Sequence, residues 1–359
     1  MSSEQVPNPR AETASAALPP VVVVTGPTAS GKSDLAIALA RRFDGEIVNA
    51  DSMQVFRYMD IGTAKPSVEE RLQVPHHLFD VADPDENYSA GRYAKEARAA
   101  ASAIHERGRV VFLTGGTGLY IRAFLDGLIE TGVVDKALRE RLENEQRRAA
   151  EDGDPHRLHR RLAELDADAA ERIHPNDVRR TVRALEILEQ SGQRASTVRE
   201  AHGFKDRPFR TLHLAIDPGR AVLTERIDRR CEAMVGAGLL REVRALRERG
   251  YASDLRPMQA IGYRHIQPVA DGSDILANAV ESMKVDTRRF ARRQNTWIRS
   301  VADAHWHDPS APEAIFDRVG AFLSNDETAK ESSNGGDTAQ RADSETGAQI
   351  LSEGNGGPS

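Results

Sequence analysis

Residues 21–24 are four consecutive valines, set between Pro19-Pro20 and a glycine-rich turn. A short β-branched run between breakers predicts a buried strand. After Lys32, apolar residues recur at Leu35, Leu39 and Phe43, one turn apart, which predicts a helix over 33–43. Ile47-Val48 reads as a second short strand, ending at Asn49-Ala50-Asp51. Residues 90–107 are alanine-rich and helical until Gly108. Residues 110–113 form another apolar run, ending in Gly115-Gly116-Thr117-Gly118, and residues 212–216 a further one, closed by Asp217-Pro218. Strands alternating with helices predict an α/β core of three layers with a mainly parallel sheet.

The pattern changes between 126 and 205, where it becomes helical, charged and arginine-rich with no good strand. This reads as a helical insertion into a core formed by 20–125 and 206–324, the latter mostly helical beyond 219. Residues 1–19, rich in Ala, Ser, Pro and Glu, and residues 325–359, rich in Gly, Ser and Asn, have little to bury and are expected to be disordered. No repeat with a period of 20 to 50 residues is visible.

Composition modifies this picture in three places. The net charge of −6 looks hostile to a polyanion, but the tail from Asn325 onward carries seven acids against Lys330 and Arg341, so nearly all of the excess lies there. A near-neutral body with clustered arginines is compatible with nucleic acid. The single cysteine, Cys231, excludes an intramolecular disulfide and a multi-cysteine zinc site, fits a reducing cytoplasm, and reads as a small buried residue. No apolar run has the length of a membrane helix, and no signal pattern opens the chain.

The strongest chemical signal is Gly26-Pro27-Thr28-Ala29-Ser30-Gly31-Lys32-Ser33, a full G-x-x-x-x-G-K-[ST] pattern with a strand before it and a helix after it. Backbone amides and the helix N-terminus converge on phosphate oxygens, Lys32 adds a full charge, and the Ser33 hydroxyl suits Mg²⁺. The core is therefore expected to be of the P-loop type. Asp51 leaves a strand at the same carboxyl edge, where ligands bind in open α/β sheets. It suits a Mg²⁺ ligand, a general base or a helix N-cap, and placement alone does not choose. The Gly115–Gly118 turn at that edge would let a substrate approach the backbone. His76 and His77, Trp297 and Trp306 read as structural.

Several longer blocks then follow in a fixed order: NADSMQVFRYMDIGTAKP at 49–66, VPHHLFD at 74–80, LTGGTGLYIRAFLDGL at 113–128, NDVRRTVRALEI at 176–187, MQAIGYRHI at 258–266 and RRFARRQNTW at 288–297. Over about 21–310 the chain closely resembles the bacterial tRNA dimethylallyltransferases, also called isopentenylpyrophosphate:tRNA transferases. The resemblance implies transfer of a dimethylallyl group from dimethylallyl diphosphate to N6 of the adenosine 3′ of the anticodon, by a monomer that needs Mg²⁺. It implies that the P-loop holds the donor's diphosphate, that Asp51 is the base on N6, and that Thr117 lies where donor and base meet. It further implies RNA contacts from Asp51, Ser52, Met53 and Gln54, from Arg139, and from Arg179, Arg180, Thr181, Val182 and Arg183. Arg288, Arg289, Arg292, Arg293 and Arg299, in a stretch without acids, also suit an RNA backbone. Phe56 stands where a Tyr is common in the family.

Three other readings remain at this level. A P-loop kinase would turn over ATP on a small molecule. A nucleotide-switched RNA-binding protein would bind without turnover. An enzyme prenylating free adenine nucleotides would not need the basic insertion.

Overall fold

The computed structural model describes residues 18–128, 135–202 and 207–324. The disorder expected over 1–19 and 325–359 lies outside the described residues except at Leu18 and Pro19, and Pro19 O accepts from Arg210 N at 3.1 Å.

The strands are β1 (Pro20–Thr25), β2 (Gly45–Asn49), β3 (His76–His77), β4 (Val110–Gly115), β5 (Arg210–Ile216) and β6 (Ala304–His307). They form one sheet in the order β3-β2-β4-β1-β5-β6, and every pairing is parallel. The valine run shows why the core has three layers. Successive strand side chains point to opposite faces. Val21 and Val23 join the cluster on one face, with Ala97, Ile104, Tyr120 and Phe124. Val22 and Val24 join the other, with Leu35, Leu39, Ile315 and Val319. The first face is covered by α3 (Ala90–Glu106) and α4 (Gly118–Asp126), and by a C-terminal group comprising α10 (Arg220–Ala237), α11 (Leu239–Glu248), α12 (Tyr263–Ala270) and α13 (Leu276–Arg299). The second is covered by α1 (Lys32–Arg42) and α14 (Pro312–Leu323), and the short α2 (Val68–Gln73) lies between β2 and β3 in the chain.

The two edge strands were not expected. β3 has only two residues, paired to Ile47 and Val48, and β6 reads Ala-His-Trp-His. Neither carries a β-branched residue, so each owes its conformation to its partner strand more than to local preference. His77 is held in place by Glu46, a buried carboxylate 2.6 Å from its Nε2 and also bound by Arg107.

Between α4 and β5 lie α5 (Lys136–Glu151), α6 (Arg157–Leu165), α7 (Ala167–Arg172), α8 (Val178–Ser191) and α9 (Ala195–His202). They pack around their own apolar cluster of Leu142, Leu158, Leu162, Val182 and Leu185. No described helix is long and apolar enough to cross a membrane.

Candidate active site

The P-loop links β1 to α1. Ser30 N donates to Pro27 O at 3.1 Å, and Leu35 N to Gly31 O at 3.2 Å. Gly31 sits at φ +91°, a conformation that a side chain would strain, so the loop turns there into the first helical amide. Beside it the parallel sheet delivers two further loops to the same edge. Ala50 N donates to Thr114 O at 2.7 Å and Thr117 N to Ala50 O at 3.1 Å, which ties the end of β2 to the end of β4.

These loops line one cavity of about 370 Å³. Thr28, Lys32, Ser33, Asp51 and Thr117 face it, together with Ser52, Met53 and Gln54. Gly26, Pro27, Ala29, Ser30 and Gly31 supply the loop backbone, and the buried Ser30 hydroxyl has no partner among the described residues. Asp51 does serve as a local cap: its Oδ1 accepts from Met53 N at 2.8 Å and Gln54 N at 3.4 Å. One carboxylate oxygen is thereby fixed, and the side chain still faces the cavity. Thr117 stands at the N-cap position of α4, but its hydroxyl serves Ser52 instead, accepting from Ser52 N at 3.0 Å and donating to Ser52 Oγ at 3.2 Å. Thr117 therefore braces the loop that carries Asp51.

The Gly115–Gly118 turn lines the cavity through Gly115 and Thr117. Its glycines are required by the protein's own packing: a Cβ on Gly115 would meet the Ala50 backbone at 2.3 Å, one on Gly116 the Gln294 amide at 2.1 Å, and one on Gly118 the Trp297 ring at 2.3 Å. Gln294 explains why. Buried on α13, it accepts from Thr28 N at 2.8 Å and donates to Gly116 O at 3.1 Å, and so joins the P-loop to the turn that carries Thr117.

Burial and charge act together on Lys32. Burial, reinforced by the neighbouring Arg230 cation, pushes its ammonium down to about 8, and Asp51 opposes that shift. Arg230 is itself lowered by burial and supported by Asp51. Two cations held close in a poorly solvated cavity with one carboxylate leave room for an anionic guest. Arg230, on α10, is the main site residue that motif reading missed; nothing in the local sequence distinguishes it from Arg226 or Arg229. Arg256, Gln259, Arg264 and Arg293 also line the cavity. Of these all but Arg256 fall in the 258–266 and 288–297 blocks. His76, read as structural, lines the cavity too and donates from Nδ1 to Val74 O at 2.8 Å. Cys231 is buried as expected and borders the same space.

Of the arginines expected to meet RNA, Arg293 lines the cavity and the others lie away from it. Arg139 makes a two-pronged pair with the fully buried Glu186, at 2.5 and 2.8 Å, and Arg183 joins the same carboxylate at 2.8 Å. Burial alone would raise the Glu186 carboxyl, but hydrogen bonds and charge from Arg139 and Arg183 bring it below its ordinary value. Thr181 and Val182 are buried in α8, with the Thr181 hydroxyl donating to Asp177 O. Arg179 and Arg180 are exposed on the first turn of the same helix. In the 288–299 stretch, Arg288 is answered by Asp228 and Arg289 by Asp286, acids supplied by α10 and by the preceding turn of α13. Trp297 packs against the core, whereas Trp306 is exposed with the Arg299 guanidinium 6.0 Å from its ring.

Known proteins resemble this chain over most of its length. The family model described as IPP transferase matches residues 54–301. The tRNA dimethylallyltransferase of Desulfosudis oleivorans is 52% identical over 290 residues, 81% of this chain and 91% of that protein. That of Desulfatibacillum aliphaticivorans is 46% identical over 303 residues, 84% and 98% of the two chains. Among solved structures, the full-length tRNA isopentenylpyrophosphate transferase of Bacillus halodurans superposes with a TM-score of 0.63 at 36% identity, covering 87% of this chain and 99% of that one. A eukaryotic dimethylallyltransferase acting on tRNA gives a TM-score of 0.74 at 30% identity, covering 86% and 80%. With a P-loop, a facing carboxylate and this coverage, the chain belongs to the IPP transferase family.

Proposed function

We propose that this enzyme transfers a dimethylallyl group from dimethylallyl diphosphate to N6 of the adenosine 3′ of the anticodon in tRNA, releasing diphosphate. The observation that carries the reading is the single cavity in which Lys32 and Arg230 face Asp51 across the end of the P-loop. Lys32 and the P-loop amides bind the diphosphate, and their attraction strengthens as charge grows on the leaving oxygen. The apolar lining from Met234, Met283 and Phe290 suits the five-carbon chain. Adenine N6 is a weak nucleophile because its lone pair is delocalised. As the N6–C1 bond forms and the C1–O bond breaks towards diphosphate, the N6 proton passes to the Asp51 carboxylate. Thr117 and Ser52 keep that carboxylate's loop in place. The base must leave the RNA stack to enter such a cavity, which costs least in a single-stranded loop.

The residues present fit Mg²⁺. Ser33 offers a hydroxyl beside Lys32, and Asp51 a carboxylate across the cavity. No group of three or more His, Cys, Asp or Glu able to hold an ion exists among the described residues, so most ligands would be diphosphate oxygens and water. That is the ligand set Mg²⁺ prefers. When bound, the ion neutralises charge on the leaving group.

The test is label transfer. Protein, Mg²⁺, radiolabelled dimethylallyl diphosphate and unmodified tRNA with adenosines in its anticodon loop should yield labelled RNA, and Asp51→Ala should abolish it. Label on free adenine nucleotides alone would refute the RNA substrate. ATP turnover on a small molecule without prenyl transfer would refute the reading altogether.

A further inference from the structure

One wall of the cavity is a loop that the sheet does not hold. Residues 52–66 leave the end of β2 and contribute Gln54, Gly62, Thr63 and Ala64 to the cavity. Two of its non-glycine residues, Tyr58 at φ +65° and Ala64 at φ +46°, lie in the left-handed region, which L side chains rarely adopt. Such a path persists only when surrounding contacts over-determine it.

The contacts converge on one carboxylate from a different element. Glu242, on α11, accepts from three successive backbone amides: Asp60 N at 3.0 Å, Ile61 N at 2.8 Å and Gly62 N at 3.1 Å. The hydroxyl of Tyr263, the first residue of α12, donates to Glu242 Oε1 at 2.6 Å. The Tyr263 ring is fully buried and lies so close to Gly62 that a Cβ there would come within 2.5 Å of it. Bonds from backbone amides to an ionised carboxylate are among the stronger ones a protein makes. From the anchored segment the constraint passes inward. Gln54 Nε2 donates to Thr63 O at 3.1 Å and Ala64 O at 3.0 Å, and Gln54 N donates to Asp51 Oδ1. Between α11 and α13 the chain also supplies Arg256, Gln259, Ile261 and Arg264 to the facing rim. Glu242 thus ties two walls together on the side of Asp51, and its hydrogen bonds go to the 60–62 amides and Tyr263.

We propose that Glu242, seconded by Tyr263, is a positioning residue for the RNA acceptor: it fixes the 60–64 segment and Gln54 at the distance at which the base enters beside Asp51, and it has no part in holding the diphosphate. The proposal rests on the prenyl-transfer reading. Its test is Glu242→Gln, nearly isosteric, with an amide that turns a donor towards the loop amides. KM for tRNA should rise and kcat fall, together lowering kcat/KM by about 10- to 100-fold. Binding of dimethylallyl S-thiolodiphosphate, an unreactive donor analogue, should stay within about twofold of wild type. Hydrogen exchange should speed up at the amides of 60–62 and stay unchanged over 26–33. Tyr263→Phe, which removes one of four bonds, should move the same quantities in the same direction by less, and it carries the test if Glu242→Gln does not fold. Wild-type kinetics in these variants, or donor-analogue binding that falls in step with tRNA turnover, would overturn the proposal. Absence of prenyl transfer by the wild-type enzyme would instead refute the reading beneath it, and exchange at 60–62 would still judge the clamp.

Discussion

In the α/β body the half-buried cations Lys32 and Arg230 outnumber the one carboxylate, Asp51, that faces them, whereas in the helical segment the buried carboxylate of Glu186 is matched by two arginines of its own. The pattern recurs across that segment: Arg161 pairs with both Glu145 and Glu189, Arg141 also pairs with Glu189, and Arg160 pairs with Asp154. An arginine-rich run is therefore two things here. Part of it is the internal glue of a small helical unit, and part, Arg179 and Arg180, is exposed on the first turn of α8, where Arg180 also pairs with Asp177 at 3.4 Å. Around the cavity cations exceed carboxylates; in the helical unit most arginines are paired.

The first way to sharpen that contrast is to remove the cavity's carboxylate. Asp51→Asn should lower the rate of transfer by about 10²- to 10⁴-fold with the donor analogue still bound, as measured by rapid quench under single turnover. Lys32→Ala should cost about 10²- to 10³-fold in turnover and weaken diphosphate binding as well, which calorimetry would show. The same lysine makes binding pH-dependent. Its value of about 8 lies below the ordinary 10.5, so between the two the folded chain holds fewer protons than the unfolded one, and unliganded stability rises with pH across that window. A diphosphate needs the charged form and restores it. Affinity for inorganic diphosphate should therefore fall as pH rises above about 8, with proton uptake on binding, and the dependence should flatten in Lys32→Arg.

The helical unit should respond in stability instead. Glu186→Gln strands two partly exposed guanidiniums and should destabilise by about 2 to 3 kcal/mol, below the range for a fully buried pair because solvent reaches both arginines. Denaturant melts check this. Since the Glu186 carboxyl is held below its ordinary value, its contribution is present at neutral pH and is lost as pH falls through the depressed value. The smallest effect belongs to Arg179→Ala and Arg180→Ala. Each should leave the melt unchanged, raise KM for tRNA a few-fold and reduce the salt slope of binding by about one. If Arg139→Ala behaved like these two rather than like Glu186→Gln, the contrast between the two regions would be wrong.

Much of the cavity was legible in the sequence because backbone geometry writes it there. A strand, a glycine-punctuated turn and a helix can be read locally, and so can Asp51 and Thr117 at strand ends. What was not legible comes from elsewhere in the chain. Arg230 reaches the site from a helix some two hundred residues downstream, and Gln294 from a block whose arginines drew attention first. β3 and β6 are short edge strands without β-branched residues, histidine and alanine beside a single strand-favouring Trp306, and so give no strand pattern. The partner of Arg139 is a glutamate 47 positions on, and only the packing of α5 on α8 reveals that it is buried. Spacing tells which face of a helix an arginine occupies; it does not tell what covers that face.

The most direct test of the central claim, that one α/β cavity brings the prenyl donor to an RNA base under Asp51, is mass spectrometry of nuclease fragments after incubation of unmodified tRNA with the enzyme, Mg²⁺ and dimethylallyl diphosphate. The expected result is one fragment, containing the adenosine 3′ of the anticodon, heavier by a prenyl group less one hydrogen, and no such fragment with Asp51→Asn. An unmodified anticodon loop with the wild-type enzyme, or equal modification by Asp51→Asn, would contradict it.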